Sequence, residues 1–137
     1  MADDCVFCRI VNGEIPSAKL YEDNTVMAFL DIMPVNKGHT LVIPKKHYEL
    51  LTDIPVAEFE KLMRELHKLT TAVVKATKAE GFNIFMNNKK VAGQVIPHAH
   101  FHIVPRYDND GIDIKWPSRK YEDGEIDKLK SKIKEHL

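Results

Sequence analysis

Residues 98–104 read His98-Ala99-His100-Phe101-His102-Ile103-Val104, three histidines alternating with apolar residues between Pro97 and Pro105. A period of two is the mark of an extended strand, because successive side chains point to opposite faces. The three imidazoles then share one face at about 6.6 Å spacing, and Ala99, Phe101 and Ile103 take the other face as core. The outer pair lies about 13 Å apart at Cα, so one metal ion does not gather all three. A metal site using one or two of them stays open. So does nucleophilic chemistry, in which a neutral imidazole attacks phosphorus and holds it covalently. A nucleophile of that kind belongs in mid-array, with one neighbour fixing its tautomer and another donating to the phosphoryl oxygens. His100 has the middle place.

Working outward, short strands are expected at residues 18–22 and 26–30 about the turn residues Asp23-Asn24, and at 40–43 before Pro44. Pro55 stands at the first turn of a helix, and Val56, Phe59, Leu62, Met63, Leu66, Leu69, Val73 and Val74 recur along it at three- and four-residue steps. Gly81 is expected to end it. A fourth strand follows at 82–87, then a loop carrying Gly93-Gln94, then the histidine strand at 98–104. A last helix spans about 125–136 with Ile126, Leu129, Ile133 and Leu137 on one face. Its lysines read as a solvated face, and its apolar side is a candidate dimer contact. The fold class is therefore α+β, a single domain over 1–137 with one long helix and a C-terminal helix.

A chain of 137 residues is long enough for one core and short for two. Twenty basic and twenty acidic residues leave no net charge. A duplex-binding surface would show a basic excess, so no nucleic-acid partner is expected, though a single nucleotide stays open. No stretch approaches the run of about 20 apolar residues that spans a bilayer, and the acidic first residues do not read as a secretory signal. A cytoplasmic location without membrane attachment is the expectation. The only cysteines, Cys5 and Cys8, are spaced C-x-x-C. That spacing suits half of a zinc site, a redox pair, or coincidence, and the redox reading lacks its βαβ context.

The run His98 to Val104 resembles the histidine triad (HIT) family signature, three histidines alternating with apolar residues. The resemblance extends through Phe7, Ile10, residues 13–16, 28–32 and 38–44, Asn87 and Gly93-Gln94, covering about 5–107 and leaving 108–137 less diagnostic. It implies an antiparallel sheet of about five strands, a homodimer, and a nucleotidyl hydrolase or transferase that works through a covalent nucleotidyl-histidine. By position, His100 would attack the α-phosphorus, His102 would hydrogen-bond the phosphoryl group, and His98 would support the array. Phe7, Ile10, Phe29 and Ile32 would hold a purine base, Asp31 the ribose hydroxyls, and Asn87 and Gln94 the phosphate side. On residue type alone, the four apolar residues suit a core, Asp31 a turn cap, Asn87 a turn, and Gln94 a solvent-facing loop. His39 reads as a buried, hydrogen-bonded histidine and His67 as an exposed one.

For the cysteines, the resemblance implies a structural zinc site completed by His47, in the segment 43–47, and by His98. One departure stands out: Val95 follows Gly93-Gln94 where many family members carry Ser or Thr. Valine neither donates nor accepts, so handling of an amine leaving group is in question. Nucleoside phosphoramidates are narrowly the first expected substrate class, ahead of dinucleoside polyphosphates. A metal-dependent hydrolase with histidine ligands, and a non-catalytic nucleotide-binding regulator, are the competing functions. A histidine nucleophile implies activity falling below about pH 6.

Overall fold

The computed structural model describes residues 4–137. Helix α1 (Val6–Val11) is followed by strands β1 (Lys19–Glu22), β2 (Val26–Leu30) and β3 (Thr40–Pro44), then helix α2 (Val56–Thr77). Strands β4 (Gly81–Phe85) and β5 (Phe101–Arg106) and helix α3 (Glu125–Lys134) complete the order. The sheet is antiparallel throughout, in the order β1-β2-β3-β5-β4. This is the five-stranded α+β arrangement expected from the sequence.

Both faces of the sheet are covered, which is why β2 and β3 read as continuous apolar runs. Val26, Ala28, Val42, Phe101 and Ile103 pack against Leu62, Leu66, Leu69 and Val73 of α2. Met27, Phe29, Leu41 and Ile43 point the other way, onto Cys5, Phe7 and Cys8. The α1 face also receives His102, so the strand alternation delivers a histidine to one side and core to the other. Among the described residues, no helix is long and apolar enough to cross a membrane.

Three expected boundaries move. The histidine strand begins at Phe101 instead of residue 98. Pro97 has no N–H to pair, and the Ala99 N–H donates to the Tyr48 carbonyl at 2.7 Å instead of to a sheet neighbour. His98 and His100 therefore lie in an extended lead-in to β5. Helix α2 ends at Lys78, not Gly81: Lys78 takes the left-handed cap conformation (φ 54°), and the Ala79 N–H closes back on the Val74 carbonyl. Gly81 instead opens β4, which stops at Phe85 and leaves Asn87 in the following loop. Helix α1 has no counterpart in the sequence reading. Six residues give too little periodicity to register, and its cap is the Cys5 sulfur, which accepts from the Cys8 N–H.

Candidate functional site

Two backbone groups fix the protonation pattern of the central histidines. His100 Nδ1 lies 2.6 Å from the His98 carbonyl oxygen. A carbonyl only accepts, so Nδ1 carries the proton and Nε2 keeps its lone pair. The Val35 N–H donates to His39 Nδ1 at 3.1 Å, which places the His39 proton on Nε2. That Nε2–H donates to His102 Nδ1 at 2.9 Å. His102 is thereby held as the Nε2–H tautomer, a donor beside the bare Nε2 of His100. The His100 and His102 rings are 4.8 Å apart between centroids.

Position and electrostatics follow from the sheet. His102 pairs in register with Leu41 of β3 and Phe85 of β4, and the Phe85 ring stacks on it at 4.4 Å and 11°. Burial lowers the pKa of His100, against the opposing pull of the His98 carbonyl and Asp31. Burial also takes His102 down to about 4, with His100 and His39 acting in the same direction. His39 is lowered by burial too, partly offset by Asp31. All three imidazoles are thus neutral at physiological pH, the state required for one lone pair and one donor.

His98 turns its side chain away from this pair. Its Nε2 donates to the Pro44 carbonyl at 2.8 Å, leaving Nδ1 bare and facing Cys5 Sγ at 3.3 Å and Cys8 Sγ at 3.6 Å. His47 Nδ1 lies 3.3 Å from Cys8 Sγ. The four ligand atoms of Cys5, Cys8, His47 and His98 all fall within 4.8 Å of one another. The S···N edge of a tetrahedral zinc site is about 3.6 Å, so this two-sulfur, two-nitrogen set fits zinc. The Pro44 carbonyl supplies the outer hydrogen bond that orients such a ligand.

Beside the histidines lies a cavity of about 260 Å³ lined by Phe7, Ile10, Ile15, Phe29, Asp31 and Ile32, among others. Phe7 meets the rings of Phe29, His98 and His100 edge-on at 5.6, 5.7 and 5.1 Å. Ile32 borders the cavity but is 87% exposed. Asp31 Oδ1 accepts the Met33 N–H at 2.9 Å, and Oδ2 stands 3.9 Å from His39 Nε2. It caps its turn with one oxygen while the carboxylate lines the cavity.

Residues 12–109 match the HIT domain family model. The chain belongs to the HIT family. An uncharacterized HIT-like protein of Methanocaldococcus jannaschii is 48% identical, over 95% of this chain and 98% of that one. The adenylylsulfatase HINT3 of Arabidopsis thaliana is 39% identical over 100% of this chain and 71% of its own. The adenosine 5′-monophosphoramidase HNT1 of Candida albicans is 38% identical, covering 97% and 91%. Among solved structures, HIT family proteins of Bacillus subtilis and Bacillus anthracis superpose with TM-scores of 0.92 and 0.93 at 39% and 38% identity. They cover 98% and 100% of this chain, and 97% and 99% of their own. A zinc-bound histidine triad protein of Mycobacterium smegmatis matches at 33% identity and TM-score 0.76 over 100% of both chains. HINT3 and HNT1, two relatives of this HIT chain, thus carry hydrolase names built on adenosine nucleotides.

In this HIT domain the loop before the triad is tied from within. Gln94 is buried, with Oε1 accepting from the Lys89 N–H at 2.7 Å and Nε2 donating to the Glu49 and Ile96 carbonyls. Asn87 Nδ2 donates to the Gly93 carbonyl at 3.3 Å. Both side chains brace the loop backbone. Val95 beside them is 89% exposed and borders an open cleft with Glu49 and Lys90. His39 is buried and hydrogen-bonded as the sequence leads one to expect, but neither its bond to His102 nor the stacking of Phe85 on that ring is foreseen. For His39 the available signal was Gly38-His39-Thr40 at the head of a strand expected beside the histidines. For Phe85 there was none, because cross-strand register is not visible in a single chain.

Proposed function

We propose that this protein is a nucleotidyl hydrolase that cleaves purine nucleoside phosphoramidates through a covalent nucleotidyl-histidine on His100. The observation that carries the reading is the hydrogen bond from His100 Nδ1–H to the His98 carbonyl, which leaves Nε2 as a neutral, unprotonated nitrogen on a ring that Phe7, a wall of the cavity, meets edge-on at 5.1 Å. The nucleoside occupies that cavity, with the base between Phe7, Ile10, Phe29 and Ile32 and the ribose hydroxyls on Asp31. His100 Nε2 then attacks the α-phosphorus in line with the P–N bond. The new N–P bond forms as the P–N bond to the amine breaks, the departing amine takes a proton from solvent, and His102 Nε2–H donates a hydrogen bond to the phosphoryl oxygen on which charge builds. Water then forms a P–O bond as the P–Nε2 bond breaks, releasing the nucleoside monophosphate and neutral His100 and giving a proton back to solvent. Asn87 and Gln94 act at the phosphate end through the loop backbone they brace.

Cys5, Cys8, His47 and His98 hold a structural zinc ion, which cross-links the N-cap of α1 to the lead-in of β5 when bound. The protein works as a homodimer joined at the edge strand β4, whose Phe82, Ile84 and Phe85 are exposed.

Val95 favours a second reading. With no hydroxyl there to assist an amine, leaving groups that depart without a proton, such as the polyphosphate arm of a dinucleoside polyphosphate, suit the cleft beside Lys90. The names of HINT3 and HNT1, a sulfatase and an amidase, support the same nucleotide half with different leaving groups. The test is AMP release from an adenosine 5′-phosphoramidate ester by wild type and His100→Ala. Release by wild type that is lost in a folded His100→Ala supports the first reading. No release, together with cleavage of a dinucleoside polyphosphate, replaces it with the second.

A further inference from the structure

The hydrogen bond between His39 Nε2 and His102 Nδ1, 2.9 Å long, can run in either direction. With the proton on His39, His102 is the Nε2–H tautomer and presents a donor beside His100. With the proton on His102 Nδ1, the two rings remain bonded, but His102 Nε2 is bare and has nothing to donate. The Val35 N–H selects the first direction. It donates to His39 Nδ1 at 3.1 Å and so keeps the His39 proton on the far nitrogen.

That N–H belongs to a segment with little else to hold it, since residues 32–35 are all exposed. Among the described residues, the hydrogen bonds of 32–38 stay inside the span 31–40 with one exception, the Asn36 side chain. Asn36 Nδ2 donates to the Pro105 carbonyl of β5 at 2.8 Å and to Asp110 Oδ2 at 3.0 Å. The Asn36 carbonyl accepts the His39 N–H at 3.0 Å, so one residue joins His39 to the end of the sheet. The receiving end is well braced. Asp110 Oδ2 accepts from Arg106 Nε at 2.8 Å and from the Tyr107 N–H, and Oδ1 accepts from Arg106 Nη2 and the Ile112 N–H. Arg106 Nη1 in turn donates to Asn83 Oδ1 of β4 at 2.8 Å.

We infer that Asn36 is a positioning residue: by clasping Pro105 and Asp110 it holds the Val35 N–H on His39 and thereby sets the direction of the His39–His102 hydrogen bond. The kinetic consequence rests on the nucleotidyl-transfer reading above, in which His102 Nε2–H meets the phosphoryl oxygen. The effect on the tautomer does not.

Nitrogen-15 spectra of the imidazoles and amide hydrogen exchange are compared in the full-length wild type and Asn36→Ala. In wild type, His102 is expected as Nε2–H alone, with the Val35 amide protected although its side chain is exposed. A neutral hydrogen bond shifts an equilibrium by about two- to tenfold, so in Asn36→Ala the Nδ1–H form of His102 should rise by about that factor. Val35 exchange should quicken and kcat should fall together with it. Lys37→Ala is the control, as that side chain has no hydrogen bond or ion pair among the described residues, and it should match wild type. A His102 that stays wholly Nε2–H in folded Asn36→Ala overturns the clasp, even where KM rises through the cavity wall at Ile32 and Met33. A wild-type Val35 amide that exchanges as freely as an unstructured one also overturns it, and needs no variant to fold. A mixed tautomer in Asn36→Ala with no AMP release by wild type upholds the clasp and removes the nucleotidyl-transfer reading.

Discussion

His98 meets His100 through its main chain and the cysteine pair through its side chain: its carbonyl accepts from His100 Nδ1 at 2.6 Å, and its Nδ1 lies 3.3 Å from Cys5 Sγ. One residue therefore links the candidate zinc site to the tautomer of the candidate nucleophile. Phe7, between the two cysteines, packs on the rings of both histidines and walls the adjoining apolar cavity. Loosening the metal cluster should disturb base binding before it disturbs the chemistry.

Removing the metal, by chelation or by Cys8→Ser, is thus expected to weaken AMP binding about tenfold, about 1.4 kcal/mol, and to lower the melting temperature. Calorimetric titration of AMP into zinc-loaded and zinc-free protein checks it, with zinc content measured in parallel. Unchanged AMP affinity in folded, zinc-free protein would separate the two sites.

His39 should behave as a positioning residue. Its Nε2–H donates a hydrogen bond to His102 Nδ1, and it is itself only 4% exposed. His39→Phe fills the space but leaves His102 free to take either tautomer. Since loss of an oxyanion donor costs about 10²–10³ in kcat, a smaller loss of about tenfold is expected here, with KM little changed. Nitrogen-15 spectra of His102 should shift from one tautomer to a mixture, which a merely structural change would not produce.

The sequence shows where the strands and helices lie along the chain and which faces are core, because period-two and period-3.6 patterns are local. It shows less where a long-range partner decides. Nothing around Gly81 reveals that α2 closes three residues earlier on Lys78, whose left-handed conformation is carried by the Ala79 to Val74 hydrogen bond. The start of β5 depends on Tyr48, fifty-one residues before Ala99, capturing the Ala99 N–H. Residue type marks His100 and His102 as chemically capable. Their tautomers depend on a carbonyl and on the Val35 N–H, main-chain groups that no motif encodes.

Acid should affect rate and stability separately. His100 must be neutral to attack, and burial lowers its pKa, so the acid limb of kcat/KM is expected below the ordinary imidazole value of about 6.5. For stability the sign is fixed by the unfolded chain. There the histidines titrate near 6.5, while His102 in the folded state is held down to about 4. Between those values the unfolded state binds more protons, so stability is complete above about pH 6.5 and declines as pH falls toward 4. Denaturant midpoints at pH 7.5, 6.0 and 5.0 should decrease in that order, and His102→Asn should flatten the series. A rate that fell with an apparent pKa above 6.5 would contradict the buried, neutral nucleophile.

Gly38 carries the chain between the end of α2 and β5 and sets the entry to His39. Its φ is +96°, and a Cβ there would lie 2.6 Å from Thr77 Cγ2 and 3.3 Å from Pro105 Cγ. Gly38→Ala therefore meets two penalties, about 1–2 kcal/mol for the left-handed backbone and about 1–3 kcal/mol for the clash. Gly111 supplies the control, since its φ is +78° and a Cβ would meet nothing within 4 Å. Gly111→Ala should lose only the backbone part and keep full turnover. At about 4 °C per kcal/mol, the Gly38 variant should melt at least several degrees below the Gly111 variant. It should also lose activity, because relief of the Thr77 contact moves the neighbouring His39 away from His102. Equal melting temperatures and equal rates in the two variants would show that the loop yields without displacing the histidine.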